Sequence, residues 1–338
     1  MNTVYTAYGL SLRSDVEIPG LTPGNRTSTI SPVEFTSSSK PDWVLALSRL
    51  PSCVIHSLPA EPECSDPTFV VREFGEGEAF QLAYGDGTEF FVDAHGAQVW
   101  GSYVAPMTLE DLATYLLGPV MGFVLRRRGI TPLHASAVSL NGFAIAICGG
   151  AGAGKSTTTA AMALRGWPAL CEDIAALREA DGRFSVQPGY RRVCLWPDAV
   201  EKLLGDSEAL PNLTPTWDKK FLALDGTRAQ FEGAPTPLST IYLLGNRVAE
   251  ANAPHLEDVS PKDALLELVQ NTYMNALLDR KQRATEFELL SRLVTRVRCR
   301  RAIPHQDPKR IPGLCELIEA DAQELARSRT SPATEARS

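Results

Sequence analysis

Residues 149–156 read Gly-Gly-Ala-Gly-Ala-Gly-Lys-Ser, with Thr157 following. Gly149, Gly154, Lys155 and Ser156 fall on the four fixed places of the pattern G-x-x-x-x-G-K-[ST]. Glycines let a backbone curl until successive N–H groups point inward at phosphate oxygens, which a Cβ would obstruct. A helix that starts there adds its unpaired first-turn N–H groups and the positive end of its dipole. In this reading Gly149, Gly150, Ala151, Gly152, Ala153 and Gly154 cradle the phosphates, with Thr157 in the first helical turn. Lys155 reaches the β- and γ-phosphates, and the Ser156 hydroxyl sits on the Mg²⁺ that bridges them. The implied ligands are ATP and Mg²⁺.

A phosphoryl group that is bound must also be passed on. Glu172 and Asp173 stand 17 and 18 residues after Lys155, and His134 stands 21 residues before it. A carboxylate within reach of a hydroxyl can accept its proton, and a triphosphate site needs an acidic partner for its metal. Adjacent carboxylates point to opposite faces of a strand, so both serve one site only if the strand has just ended. Taken alone, the pair also fits a solvated strand end, and His134 also fits a core histidine. Arg191, Arg192, Lys219 and Lys220 are the cations available to neutralise phosphates or grip a carboxylate, with surface solubility as the rival role. Arg296, Arg298, Arg300 and Arg301 alternate as a basic strip for an acidic peptide or as a solvated strand face.

These residues need a scaffold. Phe143–Cys148 (FAIAIC) reads as a buried strand into the glycine turn, and Thr157–Leu164 as the helix out of it. Asn141-Gly142 marks a hairpin turn before that strand, and Trp167–Asp173 reads as a strand that finishes in the two carboxylates. Four short runs, Phe69–Phe74, Ala79–Tyr84, Glu89–Asp93 and Gln98–Val104, are separated by glycine turns and read as an antiparallel meander. Residues 1–50 show little pattern, and Thr22–Lys40 reads as a long loop. A capping box at Thr108–Asp111 opens a helix that ends near Arg126-Arg127-Arg128, where cations suit the helix C-terminus. Asp198 precedes a short helix ending at Gly205. Ser260-Pro261 caps a helix expected to carry Leu265, Leu268, Tyr273 and Leu277, and another helix is expected over 285–294.

At 338 residues two domains are expected. A net charge of −7 argues against a general nucleic-acid binder. Seven cysteines without a C-x-x-C pair suggest neither a disulfide framework nor a zinc site. The N-terminus lacks a signal-peptide pattern, and the longest uncharged apolar run, 112–125, is too short to span a bilayer. A cytoplasmic protein with no membrane partner is the expectation.

Taken together, Leu133-His134, the 149–156 loop and the acidic pair resemble the layout of bacterial HPr kinase/phosphorylase and its relatives. Tyr8-Gly9-Leu10, Leu195-Trp196-Pro197-Asp198, Lys219-Lys220 before Phe221, and Ile241–Leu244 look more like one branch, the HPr-kinase-like enzymes encoded with lasso-peptide genes. That branch phosphorylates the C-terminal serine of a ribosomal precursor peptide. The resemblance implies an α/β chain: an HPr kinase/phosphoenolpyruvate-carboxykinase-like P-loop nucleotide domain with a smaller N-terminal β-rich domain. The divisions it implies are 1–106 for the β-rich domain, 107–325 for the kinase domain with its linking helix 107–128, and 326–338 for a disordered tail. It implies Asp173 as proton acceptor, His134 as its support, Lys155 as the catalytic cation, and Glu172 with Ser156 at the metal. The family's usual residue at position 172 is Asp. The HPr-type signature segment is replaced by Gly189–Asp198, which speaks against HPr as substrate and against the reverse phosphorolysis. Homo-oligomers occur in this family. An HPr-type kinase/phosphorylase, a phosphoenolpyruvate-carboxykinase-like enzyme and a non-catalytic nucleotide-binding regulator are the alternatives.

Overall fold

The computed structural model describes residues 2–24, 31–47, 49–59 and 68–330. Its first half is an open sheet. The strands are β1 (Thr3–Ala7), β2 (Leu10–Ser14), β3 (Val33–Thr36), β4 (Ser52–Pro59), β5 (Thr68–Phe74), β6 (Ala79–Tyr84), β7 (Glu89–Asp93) and β8 (Gln98–Ser102), with a short helix α1 (Asp42–Leu47) after β3. Their order is β1-β2-β3-β8-β7-β6-β5-β4. The expected meander is present as β5 to β8. The expectation of little structure before residue 50 is corrected: Tyr5, Ala7, Leu10, Leu12, Val33 and Phe35 alternate inward on three strands. These runs are four or five residues long and sit among Ser, Thr and Pro, too short for periodicity to stand out.

One face of this sheet is covered by α2 (Leu109–Tyr115) and α3 (Met121–Arg127), joined through a π-turn at Leu116–Val120. The Thr108–Asp111 capping box forms as expected. Pro119 has no N–H to give, and Gly118 leaves the helical region (φ −95°, ψ −106°), so the ladder widens there. Leu112, Leu116, Val120 and Val124 share one core with Tyr5, Tyr8 and Phe90 and with Ile174 and Ala176 from the second half of the chain. The three arginines at the end of α3 do more than face its dipole. Arg127 donates to Ala94 O at 2.7 Å, Arg128 donates to Gly96 O at 2.9 Å, and Arg126 is buried against Glu286.

The second half contains β9 (Thr131–Leu140), β10 (Phe143–Cys148), α4 (Lys155–Leu164), β11 (Ala169–Cys171), β12 (Ile174–Ala180), β13 (Arg183–Gln187), β14 (Arg192–Leu195), α5 (Pro197–Leu204) and β15 (Lys220–Ala223). Next come β16 (Thr236–Leu244), β17 (His255–Asp258), α6 (Pro261–Gln270), α7 (Arg280–Arg296), β18 (Arg298–Ile303) and α8 (Ile311–Thr330). The sheet order is β10-β9-β12-β13-β16-β18-β17, with β11 beside β9, and β10 also pairs in parallel with β16. Pairing therefore closes a ring through β10, β9, β12, β13 and β16. β10 is buried on both faces. Ile145 and Ile147 pack with α4 and α8, while Ala144, Ala146 and Cys148 pack with α6 and α7. That explains its unbroken apolar run.

Three helical expectations change. α6 stops at Gln270, so Tyr273 and Leu277 lie beyond it. α7 starts at Arg280 behind an Asp279/Gln282 capping box. α8 continues to Thr330, so the expected tail is helical over 326–330; residues 331–338 lie outside the described residues. Among the described residues no helix is long and apolar enough to cross a membrane.

Candidate active site

The site is built at a fork in β9. Its first half pairs with β12, His134 opposite Ile174; its second half pairs with β10, Ala135 opposite Cys148. β10 ends there and the glycine loop begins. β12 starts there, just after Glu172 and Asp173. One strand thus carries His134 between the phosphate loop and the acidic pair.

α4 begins at Lys155, after Gly154 in a left-handed conformation (φ 105°). A Cβ at Gly154 would stand 2.9 Å from Arg247 Nη2. That guanidinium caps the outer side of the loop, donating to Gly152 O at 3.1 Å and Ala153 O at 3.2 Å. Lys155 is buried, and its ammonium lies 2.9 Å from Gly149 O, 3.1 Å from Gly150 O and 2.9 Å from His134 Nε2. An ammonium can only donate. His134 Nε2 therefore accepts, and the ring proton is on Nδ1, 3.1 Å from Asp173 Oδ1. Thr157 lies in the first turn of α4.

Asp173 is itself left-handed (φ 66°), and Ile174 N donates across it to Glu172 O at 2.8 Å. This tight turn between β11 and β12 breaks the strand alternation, so both carboxylates serve the same region. Glu172 is buried and accepts from Ser156 Oγ at 2.8 Å. Asp173 accepts from Tyr273 OH at 3.0 Å through its second oxygen. Burial pushes the Asp173 carboxyl up, but the His134 hydrogen bond, the Lys219 charge and the Tyr273 hydrogen bond outweigh it and hold it down at about 2. Burial, then the Asp173 charge, raise Glu172 above the usual glutamate range; Lys219 and the Ser156 hydrogen bond act against this. The pair is therefore split: one carboxylate is firmly ionised, and the other is easier to protonate.

The structure separates the four candidate substrate cations. Lys219 is close enough for its charge to act on both carboxylates, and its ammonium stands 5.2 Å from the centre of the Trp196 ring. Lys220 is buried elsewhere, on Glu208 at 2.5 Å and Asn212 at 2.6 Å. Arg191 lies over Phe231 and Arg192 over Phe221. The basic strip is ion-paired: Arg296 with Glu179, Arg298 and Arg300 with Asp258 and Asp321, Arg301 with Glu267. Cys148 and Cys171 are buried thiols, Cys148 pushed up by burial to about 12 and Cys171 also well above the usual range. Sequence reasoning missed Tyr273, read as a helix core residue, and Arg247, which no motif marks.

No family model matches the chain, and no curated protein matches it. Among solved structures it is similar to the Hpr(Ser) kinase/phosphatase from Coxiella burnetii, with a TM-score of 0.34 and 12% identity, covering 61% of this chain and 99% of that one.

Proposed function

We propose that the chain is an ATP-dependent serine kinase of the HPr-kinase-like kind, acting on the C-terminal serine of a small ribosomal peptide. The observation that carries the reading is the continuous hydrogen-bonded line Lys155–His134–Asp173 beside the pair Ser156–Glu172. A kinase has to hold the phosphates, place the metal and seat the acceptor hydroxyl, and this line supplies a group for each task.

Lys155 exchanges its carbonyl and imidazole partners for the β- and γ-phosphates, while loop N–H groups and the start of α4 hold the remaining oxygens. Ser156 Oγ and Glu172 are hard oxygen donors, 2.8 Å apart, at the loop's exit. They fit Mg²⁺, which keeps one or two protein oxygens and takes the rest from phosphates and water. Among the described residues no group of three or more His, Cys, Asp or Glu forms a fuller set. When bound, Mg²⁺ supplies charge neutralisation at the phosphates. Asp173, oriented by His134, accepts the hydrogen bond of the serine hydroxyl and takes its proton as the new phosphorus–oxygen bond forms and the bond from the γ-phosphorus to the bridging oxygen breaks, leaving ADP. A weakly basic carboxylate suits a loose transfer in which proton removal comes late.

The acceptor reading is supported by Lys219. Its charge reaches both Asp173 and Glu172, and it is a single ammonium rather than the arginine fork that Arg191 or Arg192 would give. It can hold the free carboxylate of a terminal serine while the hydroxyl of that residue meets Asp173. Incubation with γ-labelled ATP tests this. Label should pass to a peptide ending in serine, and poorly to the same peptide amidated or with the serine moved inward. Equal labelling of HPr, or no effect of amidation, removes the peptide reading. No labelling of any serine acceptor removes the kinase.

A further inference from the structure

Asp173 has two oxygens and two donors. One donor, His134, belongs to the line already described. The other, Tyr273, lies on the irregular segment after α6, and much of the surrounding structure serves to hold it. Backbone bonds dock the segment on β9: His134 N donates to Asn271 O and Tyr273 N to Pro132 O, both at 2.8 Å. Beneath it, Arg126 and Glu286 form an ion pair at 2.6 Å with side chains 4% and 8% exposed. Two further groups of the pair, Arg126 Nε and Glu286 Oε1, bond to this segment. Thr272 Oγ1 donates to Glu286 Oε1 at 2.8 Å, and Arg126 Nε donates to Tyr273 O.

The ring is placed as closely as the backbone. It lies against α3 where Gly122 leaves room, and a Cβ there would come within 2.5 Å of Tyr273 Cδ1. The Tyr273 hydroxyl and Asp173 Oδ2 meet beside Gly118 of the π-turn, each 4.0 Å from where a Cβ would stand. Burial first, and then Asp173, keep the phenol protonated, so it stays a donor. A buried ion pair is a costly way to hold a loop, and well-packed apolar residues usually do as well. What the pair adds is a fixed direction for Thr272 and Tyr273.

We infer that Tyr273 is a positioning residue: its hydroxyl fixes the carboxylate plane of Asp173, and the buried Arg126–Glu286–Thr272 clamp fixes Tyr273. With Asp173 Oδ1 on His134 and Oδ2 on Tyr273, the carboxylate cannot rotate, and its remaining lone pairs keep one direction for an incoming hydroxyl. This rests on the phosphotransfer reading for its consequence in catalysis, but not for the contact itself.

Three proteins test it: Tyr273→Phe, Thr272→Val and the double variant. The first readout needs no turnover. The ¹³C resonance of the Asp173 side-chain carboxyl, assigned by its loss in Asp173→Asn, should shift in Tyr273→Phe and shift less in Thr272→Val. The second is transfer from ATP to a serine-terminated peptide, or slow hydrolysis with water as acceptor. Tyr273→Phe should lower kcat about tenfold, the scale for one hydrogen bond to a charged group, with KM for ATP unchanged. The double variant should be no slower than Tyr273→Phe alone, because Thr272 acts through Tyr273. An unmoved carboxyl resonance or an unchanged kcat in Tyr273→Phe overturns the inference, and additive losses overturn the clamp. No transfer or hydrolysis by the unaltered protein sinks the phosphotransfer reading, full activity in Asp173→Asn sinks Asp173 as proton acceptor, and in either case the resonance decides the contact separately.

Discussion

Replacing Asp173 by asparagine and Glu172 by glutamine, one at a time, should move stability in opposite directions, although each change removes one negative charge. The Asp173 carboxyl is held at about 2 in the fold, against about 3.9 for an unperturbed aspartate. A folded value below the unfolded one stabilises the fold above the unfolded value and is lost as pH falls through the folded one. The gap of roughly two pH units, at about 1.36 kcal/mol each, gives on the order of 2–3 kcal/mol at neutral pH, of which about half survives at pH 3. The side chain is 31% exposed. Removing its charge also relieves Glu172, so a net loss of roughly 1–2 kcal/mol is expected, a few degrees in Tm. Glu172 has the other sign. Its folded value is raised by burial and by Asp173, so its ionised form weakens the fold above the ordinary glutamate range, and the penalty vanishes below about pH 4. Glu172→Gln should therefore raise Tm at pH 7.5, with the gain fading toward pH 4, while Asp173→Asn lowers it. Scanning calorimetry from pH 3 to 8, without nucleotide or Mg²⁺, reads both curves. A stabilised Asp173→Asn at pH 7.5, or a destabilised Glu172→Gln, would refute the split between the two carboxylates.

Lys155→Ala should abolish transfer and cost about 1–3 kcal/mol in stability, because the ammonium is buried on His134 and two carbonyls rather than free at the surface; near-normal labelling from γ-labelled ATP would remove the phosphate-loop mechanism. Asp173→Asn should lose at least about 10²-fold in kcat, while Glu172→Gln should mainly raise the Mg²⁺ concentration needed for half-maximal rate. The reverse pattern in a Mg²⁺ titration would mean their roles are exchanged. Gly122→Ala should push the Tyr273 ring out of its slot, costing about 1–3 kcal/mol of stability through overpacking, with Tm and kcat falling together; a silent substitution would show that the ring's placement does not matter.

What could be read from the sequence was what is local. The phosphate loop carries its geometry in eight consecutive residues, and the acidic pair is found by its distance from that loop. The hairpin into the loop strand follows from Asn141 and Gly142, both left-handed in the structure. What could not be read depends on register and on where a helix stops. Lys219 and Lys220 look equivalent in sequence, yet neighbours at a strand start face opposite ways, and only Lys219 acts on the carboxylates. Tyr273 was hidden because α6 ends at Gln270 with Asn271 as its cap and no glycine or proline, so apolar spacing appeared to run on through it. Arg247 makes backbone contacts across 95 residues of chain, and no spacing rule reaches that far.

Closing β10, β9, β12, β13 and β16 into a ring also divides the molecule into parts that can change at different rates. Strands bonded on both sides tend to open together, so the amides around His134 and Ile174 are expected among the slowest-exchanging of the chain. Lys219 hangs from a different kind of structure, the irregular stretch between α5 and β15. Substitutions accumulating there can reshape the wall that meets the acceptor while Lys155, His134 and Asp173 keep their spacing. A mutational library confined to residues 206–219 should therefore yield altered acceptor preference far more often than lost nucleotide binding.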